Sequence, residues 1–406
     1  MTTGRTHGGR AFAICFLAGM CEGYDMLVAG VAAPRFAPVL GLDSGQVGLV
    51  FAAAGVGLLL GATIGGRLAD RHGRRAVLVA SLVALGVFSI ASAFAHGLGF
   101  LLGVRFLAGL GLGGALPNLL AIVNETSPAT KTTTRVTMLG SAMPLGGALL
   151  GVGTVVVPEL SWQAMFWIGG LLPLAAAAAC QAILPRFTAP GRADGTPGSL
   201  RLALVGDGRG SSTALLWTTT LCVAMSVALM VNWLPSLMAA RSFNAAATGR
   251  IVMLLTLGGA ASGFAFGALT ERLHARVVHG LAWSGMVASI LLILAADHSE
   301  RAAAAAALGL GFFLSGGQFL LYGLATDLYP QAVRGTGTGF AVGAGRFGAI
   351  LGPLLAGLLL ARSGDADDAF LALIPLILVS WLTVFALSRI HPRRLAGPSR
   401  TGAIEV

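Results

Sequence analysis

The sequence predicts an all-α membrane protein in which twelve transmembrane helices form two pseudo-symmetric six-helix bundles. Composition is the first reason, because 56% of the 406 residues are hydrophobic, only 10% are charged and the mean hydropathy is +0.84. A soluble protein of this length carries about 25% charged residues, whereas a surface that faces lipid can stay apolar. A lipid bilayer is therefore the expected surroundings.

The spacing of apolar segments is the second reason. Stretches of about 20 apolar residues recur along the chain, each long enough to cross the hydrocarbon core. The longest polar connection, 185–212, leaves six spans on either side, so we expect an N-terminal bundle (1–184), a cytoplasmic linker (185–212) and a C-terminal bundle with its tail (213–406). The predicted spans are 11–33, 47–69, 76–96, 99–123, 136–157, 163–184, 213–238, 250–269, 277–296, 302–325, 336–361 and 369–390.

An internal repeat is the third reason. The segment from Gly66 to Arg75 matches the segment from Gly267 to Arg276, 201 residues further on. The segments that end in Pro128 and Pro330 match at nearly the same spacing. Such parallel repeats place a binding site between the two bundles, near the middle of the membrane.

Orientation follows from the positive residues between the spans. Of the 26 Lys and Arg residues, nineteen lie on the side of the chain termini, five lie on the opposite side, and Arg105 and Arg346 fall inside spans. Positive residues favour the cytoplasmic side, so we expect a bacterial inner membrane with both termini in the cytoplasm. The net charge of +10 is spread over these loops, which argues against a nucleic-acid partner.

Four charged residues lie deep in the predicted spans: Glu22 and Asp25 in span one, Arg105 in span four and Arg346 in span eleven. A charge at the centre of a membrane helix costs about 2.5–3.5 kcal/mol on insertion scales, so each one needs a reason. Depth along the helices pairs Asp25 with Arg105 and Glu22 with Arg346. A permanent Asp25–Arg105 ion pair that only fastens span one to span four remains an alternative to a role in transport.

Several motifs resemble those of a known family. The loop Gly66-Arg-Leu-Ala-Asp70-Arg-x-Gly73-Arg-Arg75 resembles the signature loop of the major facilitator superfamily, and Arg105-x-x-x-Gly109-x-Gly111-x-Gly113 resembles a second motif of it. Within that superfamily, Glu22-Gly-Tyr-Asp25 is similar to the Asp-Gly-Tyr/Phe-Asp signature of aromatic acid:proton symporters, with Glu22 as the departure. Further similar segments are Leu116-Pro-Asn118, Asn232-Trp-Leu-Pro235 and Arg334-Gly-Thr-Gly337.

The resemblance implies proton-coupled import of an aromatic or related organic acid by alternating access. A planar guanidinium suits a carboxylate, so Arg346 is our first choice for the substrate and Arg105 the second. Burial disfavours the charged form of a carboxylate, so Glu22 and Asp25 are the candidate proton carriers. Candidate cavity residues are Tyr24, Asn118, Trp233, Gln318 and Tyr322. Trp233 and Tyr322 also suit an interfacial belt, and Asn118 and Gln318 also suit bonds between helices.

The loop between spans two and three is the predicted gating element. The resemblance implies that Asp70 and the arginines Arg71, Arg74 and Arg75 lock neighbouring helices together, with Glu125 and Asp327 as acidic partners. The simpler alternative is that the arginines only set the orientation.

Other functions fit less well. Proton-driven export of drugs or metabolites is the alternative mode, although Pro144-Leu-Gly-Gly147 in span five is one residue short of the antiporter spacing. No metalloprotease or hydrolase motif occurs, so we expect neither an enzyme nor a cofactor or metal. The expected partners are a small carboxylate, protons and the lipid bilayer, and the expected state is a monomer.

Overall fold

Helices account for nearly all of the described chain in a computed structural model, which describes residues 3–128, 135, 138–185, 206, 209–297, 299–330 and 333–390. The helices are α1 (Thr3–Leu40), α2 (Ser44–His72), α3 (Arg74–Ser92), α4 (Leu98–Thr126), α5 (Ala142–Val156), α6 (Trp162–Ile183), α7 (Gly210–Ala240), α8 (Ala245–Arg272), α9 (Ala275–Ala295), α10 (Glu300–Leu328), α11 (Arg334–Ser363), α12 (Ala366–Leu371) and α13 (Leu373–Ile390).

Twelve segments of the described chain are long and apolar enough to cross a membrane, which confirms the predicted span number. The short helix α12 and α13 together form the twelfth span, Ala366–Ile390. The helix is interrupted at Ala372, close to Pro375, whose missing N–H removes a helical hydrogen bond. Most of the predicted linker 185–212 lies outside the described residues.

The first helix is longer than predicted. It continues past residue 33 to Leu40 although it contains Pro34 and Pro38. Arg35 supports this stretch, because its guanidinium donates to the carbonyl of Val31 (3.4 Å) and to that of Pro158 beyond α5 (3.0 Å). The bond to Pro158 fastens the end of α1 to the segment that follows α5.

Packing within the two halves is equivalent helix by helix. In the first half α2 packs on α4, α1 on α5 and α3 on α6. In the second half α8 packs on α10, α7 on α11 and α9 on α13, which are the corresponding pairs. The internal repeat of the sequence is therefore also a repeat of helix packing.

The halves meet at one end of the molecule. We call the end where α1 begins and α13 ends the basic face, and the opposite end the far face. Three helix pairs join the halves: α2 with α11, α5 with α8 and α1 with α7. Their close approaches lie toward the far face, at Gly48 against Pro353, Gly151 against Gly249 and Gly30 against Asn232. The halves are thus closed at the far face.

Candidate functional site

A cavity of about 430 Å³ lies between the two halves. Its deepest residues toward the far face include Phe51 and Asn232, and it extends to Leu120, Leu139 and Tyr322 near the basic face. Its volume falls in the usual range for small-molecule sites, roughly 300–1,000 Å³. Because the halves are in contact at the far face and the cavity extends toward the basic face, a ligand would enter the cavity from the basic face.

The wall of the cavity is mainly aliphatic, with a few polar side chains. These polar residues are Thr220, Asn232, Thr256, Ser315, Gln318 and Tyr322. The charged residues that line it are Arg105 and Arg346, and no carboxylate of the described chain is among its lining residues. An apolar cavity with this charge pattern suits a ligand that combines an apolar body with a negative group.

Arg105 is paired with Asp25, as their depths suggest. Its Nη2 lies 3.1 Å from Asp25 Oδ2 and its Nη1 lies 3.4 Å from Oδ1, while both side chains are buried. Ser89 of α3 donates to the same Oδ1 at 2.8 Å, and the guanidinium lies 5.6 Å from the ring centroid of Phe166. The pair therefore joins α1, α3, α4 and α6 through one hydrogen-bonded group.

Arg346 is the second cation of the cavity, and its position differs from that of Arg105. It is half-buried in the middle of α11. Within the described part of the chain, no carboxylate forms an ion pair with it. Because a buried charge needs a partner, Arg346 is the group of this cavity that is free to pair with an anion.

Gln318 and Tyr322 form a polar pair on α10. The amide nitrogen of Gln318 donates to the hydroxyl oxygen of Tyr322 at 3.2 Å, and both side chains line the cavity. Arg346 of α11 lines the same cavity. The predicted residues Arg346, Gln318 and Tyr322 are thus brought to one cavity.

Glu22 is fully buried, on the same face of α1 as Asp25 but one turn nearer the basic face. Neither of its carboxylate oxygens has a hydrogen-bond partner in the described chain. No ion pair joins Glu22 to Arg346 within the described chain, so their matched depth along the helices did not produce contact. An ionised carboxylate without a partner is very costly in such surroundings, so the neutral, protonated form is expected.

Three predicted cavity residues lie elsewhere. Tyr24 directs its hydroxyl to the carbonyl of Met165 (3.3 Å) in α6, because it follows Gly23 by one residue and so faces away from the cavity. Asn118 donates to the carbonyl of Gly114 (2.8 Å) in its own helix, and it is buried outside the lining. Neither side chain lines the cavity in this structure.

Trp233 is the third of these residues. It is 2% exposed, which excludes an interfacial belt position, and its Nε1 donates to the carbonyl of Pro353 at 3.0 Å. Its ring meets that of Phe51 edge to face, with 5.4 Å between centroids. Since Phe51 belongs to the first half and Pro353 to the second, Trp233 is part of the closure at the far face.

The predicted gating loop lies at the basic face. Gly73 separates α2 from α3 and adopts φ of +86°, a region that favours glycine. Arg74 forms an ion pair with Glu125 at 2.8 Å, and Arg75 donates to the carbonyl of Gln181. Arg71 and Asp327 are exposed, and the side chain of Asp70 lies outside the described residues. The loop therefore connects α3 to α4 and α6 within the first half.

Sequence reasoning missed Ser89, which binds Asp25, and the hydroxyl groups of Thr220 and Thr256 in the cavity wall. Serine and threonine are frequent in membrane helices because they can donate to the carbonyl four residues earlier, as Thr220 does to Leu216 at 2.8 Å. The presence of a serine or threonine in a span therefore does not indicate a site. Only the structure shows whether its hydroxyl faces a charged residue, as Ser89 does, or the cavity, as Thr220 and Thr256 do.

Comparisons with known proteins agree with this architecture. The model of the family described as Major Facilitator Superfamily matches residues 15–278 and 216–404. Among solved structures, a bacterial homologue of the human lysosomal transporter Spinster, in an inward-facing and unoccupied conformation, superposes with a TM-score of 0.77 at 14% identity. The match covers 97% of this chain and 99% of that one.

Curated relatives are similar over nearly the whole chain. The 3-(3-hydroxy-phenyl)propionate transporter of Escherichia coli K12 is 38% identical, over 93% of this chain and 94% of the relative. The 4-hydroxybenzoate transporter PcaK of Pseudomonas aeruginosa is 30% identical, over 90% and 89% of the two chains. The gentisate transporter of Corynebacterium glutamicum is 31% identical, over 91% and 85%.

Proposed function

The chain belongs to the Major Facilitator Superfamily, a family of transporters and not of enzymes, and from this premise we propose that it imports an aromatic carboxylate together with protons. The relatives described above carry hydroxylated aromatic acids by name. The multi-pass protein would reside in the inner membrane of a bacterium, with both termini and the basic face in the cytoplasm.

The observation that carries the proposal is a cation in an apolar cavity that forms no ion pair with any carboxylate of the described residues. Arg346 would bind the carboxylate of the substrate, and the aliphatic wall would contact its ring. The hydroxyl of Tyr322 and the amide of Gln318 lie on the neighbouring wall, where they can bond polar groups of the substrate. Arg105 would act through its pair with Asp25 and not as the main anchor.

Proton coupling would use the two buried carboxyl groups of α1. In this conformation Glu22 would hold a proton, because neither of its oxygens has a hydrogen-bond partner among the described residues. Asp25 forms an ion pair with Arg105, and this pair would have to separate before Asp25 could take part in proton transfer. When the cavity opens alternately at the basic face and at the far face, the two carboxyl groups would be exposed first to one solution and then to the other.

Transport by reconstituted vesicles tests the proposal. An imposed gradient with a more acidic exterior should drive accumulation of labelled 4-hydroxybenzoate or 3-hydroxyphenylpropionate by the wild-type protein. Export by proton antiport, the competing function, predicts that the same gradient lowers the internal substrate concentration. No response of either acid to the gradient would contradict both.

Substitution of Arg346 should weaken the binding of the substrate. Arg346→Gln should raise the KM for uptake by roughly 10- to 100-fold, since one hydrogen-bonded contact to a charged group is lost. Arg346→Lys should be affected less, because it keeps the charge and loses only the two-pronged geometry. The matched control is Arg301→Gln, an exposed residue at the far-face end of α10. Equal KM values for Arg346→Gln and the control would reject Arg346 as the anchor.

A further inference from the structure

A second groove lies away from the central cavity, at the basic face, where α9 begins and α13 ends. Its lining comes from these two helices: Ala275, Arg276, His279, Gly280, Trp381, Val384, Phe385 and Ser388. Its volume of about 30 Å³ admits one group of the size of a water molecule or a hydroxyl. No carboxylate is among these lining residues.

The surface around the groove is apolar and exposed. Val277 and Leu281 of α9 are 50% and 45% exposed, and Leu382 and Phe385 of α13 are 68% and 49% exposed. In a membrane-spanning chain these side chains contact lipid. Because α9 begins at Ala275, the groove lies at the end of the lipid-facing surface, at the level of the lipid headgroups.

His279 has a polar atom that the protein leaves without a partner. The residue is 9% exposed, and its Nδ1 lies 2.6 Å from the carbonyl oxygen of Ala275, to which it donates. Its Nε2 is then a hydrogen-bond acceptor, and this atom has no partner in the described chain. His279 lines the groove, so with the ring neutral a donor group that fills the groove beside it would give Nε2 a partner.

Arg276 lines the groove, and a second arginine, Arg389, lies beside it against a lining residue. Arg276 is exposed and donates through Nη2 to the carbonyl of Ser388 at 3.2 Å, which leaves its other guanidinium N–H groups with no acceptor in the described part of the protein. Arg389 lies over the ring of Phe385, 4.9 Å from its centroid. The first turn of α9 adds the partial positive charge of a helix N-terminus. This combination favours a phosphate group.

We infer that this groove binds the headgroup of an anionic phospholipid, with its phosphate at Arg276 and Arg389 and a headgroup hydroxyl donating to His279 Nε2. Phosphatidylglycerol has both groups, and basic sites between membrane helices at the cytoplasmic side suit anionic lipids. Phosphatidylcholine has no donor for Nε2, and phosphatidylethanolamine has a donor but no net negative charge. Trp381 and Phe385 would contact the upper part of the acyl chains.

Binding is measured on the purified full-length protein without any transport assay. Native mass spectrometry would compare phosphatidylglycerol, phosphatidylcholine and phosphatidylethanolamine, each with the same acyl chains, and glycerol 1-phosphate as the soluble headgroup. We expect phosphatidylglycerol to bind about tenfold more tightly than phosphatidylcholine, the effect of one or two hydrogen bonds involving a charged group. Glycerol 1-phosphate should not compete at the same concentration, because it lacks the acyl chains.

Variants identify the groove. His279→Phe keeps a planar ring and removes the acceptor, and Arg276→Gln removes one cation; each should weaken phosphatidylglycerol binding about fivefold to tenfold. Arg301→Gln at the far face serves as the control for a lost surface charge and should leave binding unchanged. If His279→Phe is poorly folded, Arg276→Gln decides alone.

Three results would overturn the inference. Unchanged phosphatidylglycerol binding in the folded variants would mean that the groove holds water only. Equal binding of phosphatidylcholine would show that no charge is recognised. Competition by glycerol 1-phosphate at the lipid concentration would identify a site for soluble phosphates and not for lipid.

Discussion

At the scale of single residues, Glu22 and Asp25 show how two carboxyl groups three positions apart on α1 acquire different surroundings. Asp25 accepts hydrogen bonds from Ser89 and Arg105, whereas the oxygens of Glu22 have no partner in the described chain. A carboxylate with donors is stabilised in its charged form, and one without donors in its neutral form. In the proposed proton coupling, the two groups would thus act at different steps.

Glu22→Gln should separate proton coupling from substrate movement. The amide is neutral and close in shape to the protonated acid, so we expect substrate exchange across vesicles to continue while accumulation driven by a pH gradient is lost. Both assays use the same reconstituted protein. The control is Glu159→Gln, an exposed acid near the far face. Gradient-driven accumulation at the wild-type level in Glu22→Gln would remove Glu22 from the proton pathway.

Asp25→Ala should destabilise the protein strongly. The substitution leaves Arg105 buried without its carboxylate, and breaking a buried pair on one side costs about 3–5 kcal/mol. The double variant Asp25→Ala/Arg105→Leu removes both charges, so its melting temperature should lie above that of Asp25→Ala. A double variant that melts below the single one would show that the pair is not what stabilises this region.

The charged pair was predictable from sequence because a charge inside an apolar span restricts its possible partners to residues at the same depth. The polar cavity residues were predictable only in part, because depth does not specify direction around the helix. Tyr24 and Gly23 are neighbours in sequence, yet only Gly23 lines the cavity. Gln318 and Tyr322, four residues apart, share a face of α10 and both reach it.

At the scale of helices, the closure at the far face depends on glycine. A Cβ added at Gly249 of α8 would lie 2.2 Å from Thr154 Oγ1 and 3.0 Å from the carbonyl oxygen of Gly151, both in α5. A Cβ at Gly30 of α1 would lie 2.4 Å from the carbonyl oxygen of Asn232 in α7. Small residues let membrane helices approach this closely, and here the helices belong to different halves.

Gly249→Ala and Gly30→Ala should therefore favour separation of the halves at the far face. Each half keeps its own packing, so we expect folded protein whose cavity becomes accessible from the far side and whose uptake rate falls. Gly153→Ala is the matched control in α5, since a Cβ there meets nothing within 4 Å. Distances between spin labels at the far-face ends of α2 and α11 measure the change, and an unchanged distance in both variants would contradict it.

The number and order of the helices followed from the apolar lengths, because hydrocarbon thickness fixes the length of a span. The contacts between halves did not follow from the sequence. Many glycines of this chain have open space around them, such as Gly103 and Gly339, while others such as Gly30 touch a backbone. The sequence does not distinguish glycines in open space from glycines that touch another backbone, because the difference depends on where the neighbouring helix lies.

At the scale of the whole molecule, side of access and orientation in the membrane are separate questions. The cavity reaches Leu120 near the basic face and is closed by the α1–α7, α2–α11 and α5–α8 contacts near the far face. Positive residues concentrate at the basic face, which predicts its cytoplasmic location. Together these observations predict a cavity that faces the cytoplasm, and a pair of cysteine variants tests both parts of the prediction at once.

Leu120→Cys places a thiol on the cavity wall near the basic face, and Val39→Cys places one at the far-face end of α1, where Val39 is 69% exposed. The four native cysteines are buried, so a membrane-impermeant thiol reagent should label the wild-type protein little. In inside-out vesicles we expect labelling of Leu120→Cys and not of Val39→Cys, and in right-side-out vesicles the reverse.

If instead Val39→Cys is labelled in inside-out vesicles and Leu120→Cys in right-side-out vesicles, the orientation is inverted, because the two positions lie at opposite ends. Labelling of both variants from the right-side-out direction alone would keep the orientation and place the cavity opening at the far face. Saturating aromatic acid should slow the labelling of Leu120→Cys and leave that of Val39→Cys unchanged, since only the former shares the cavity with Arg346.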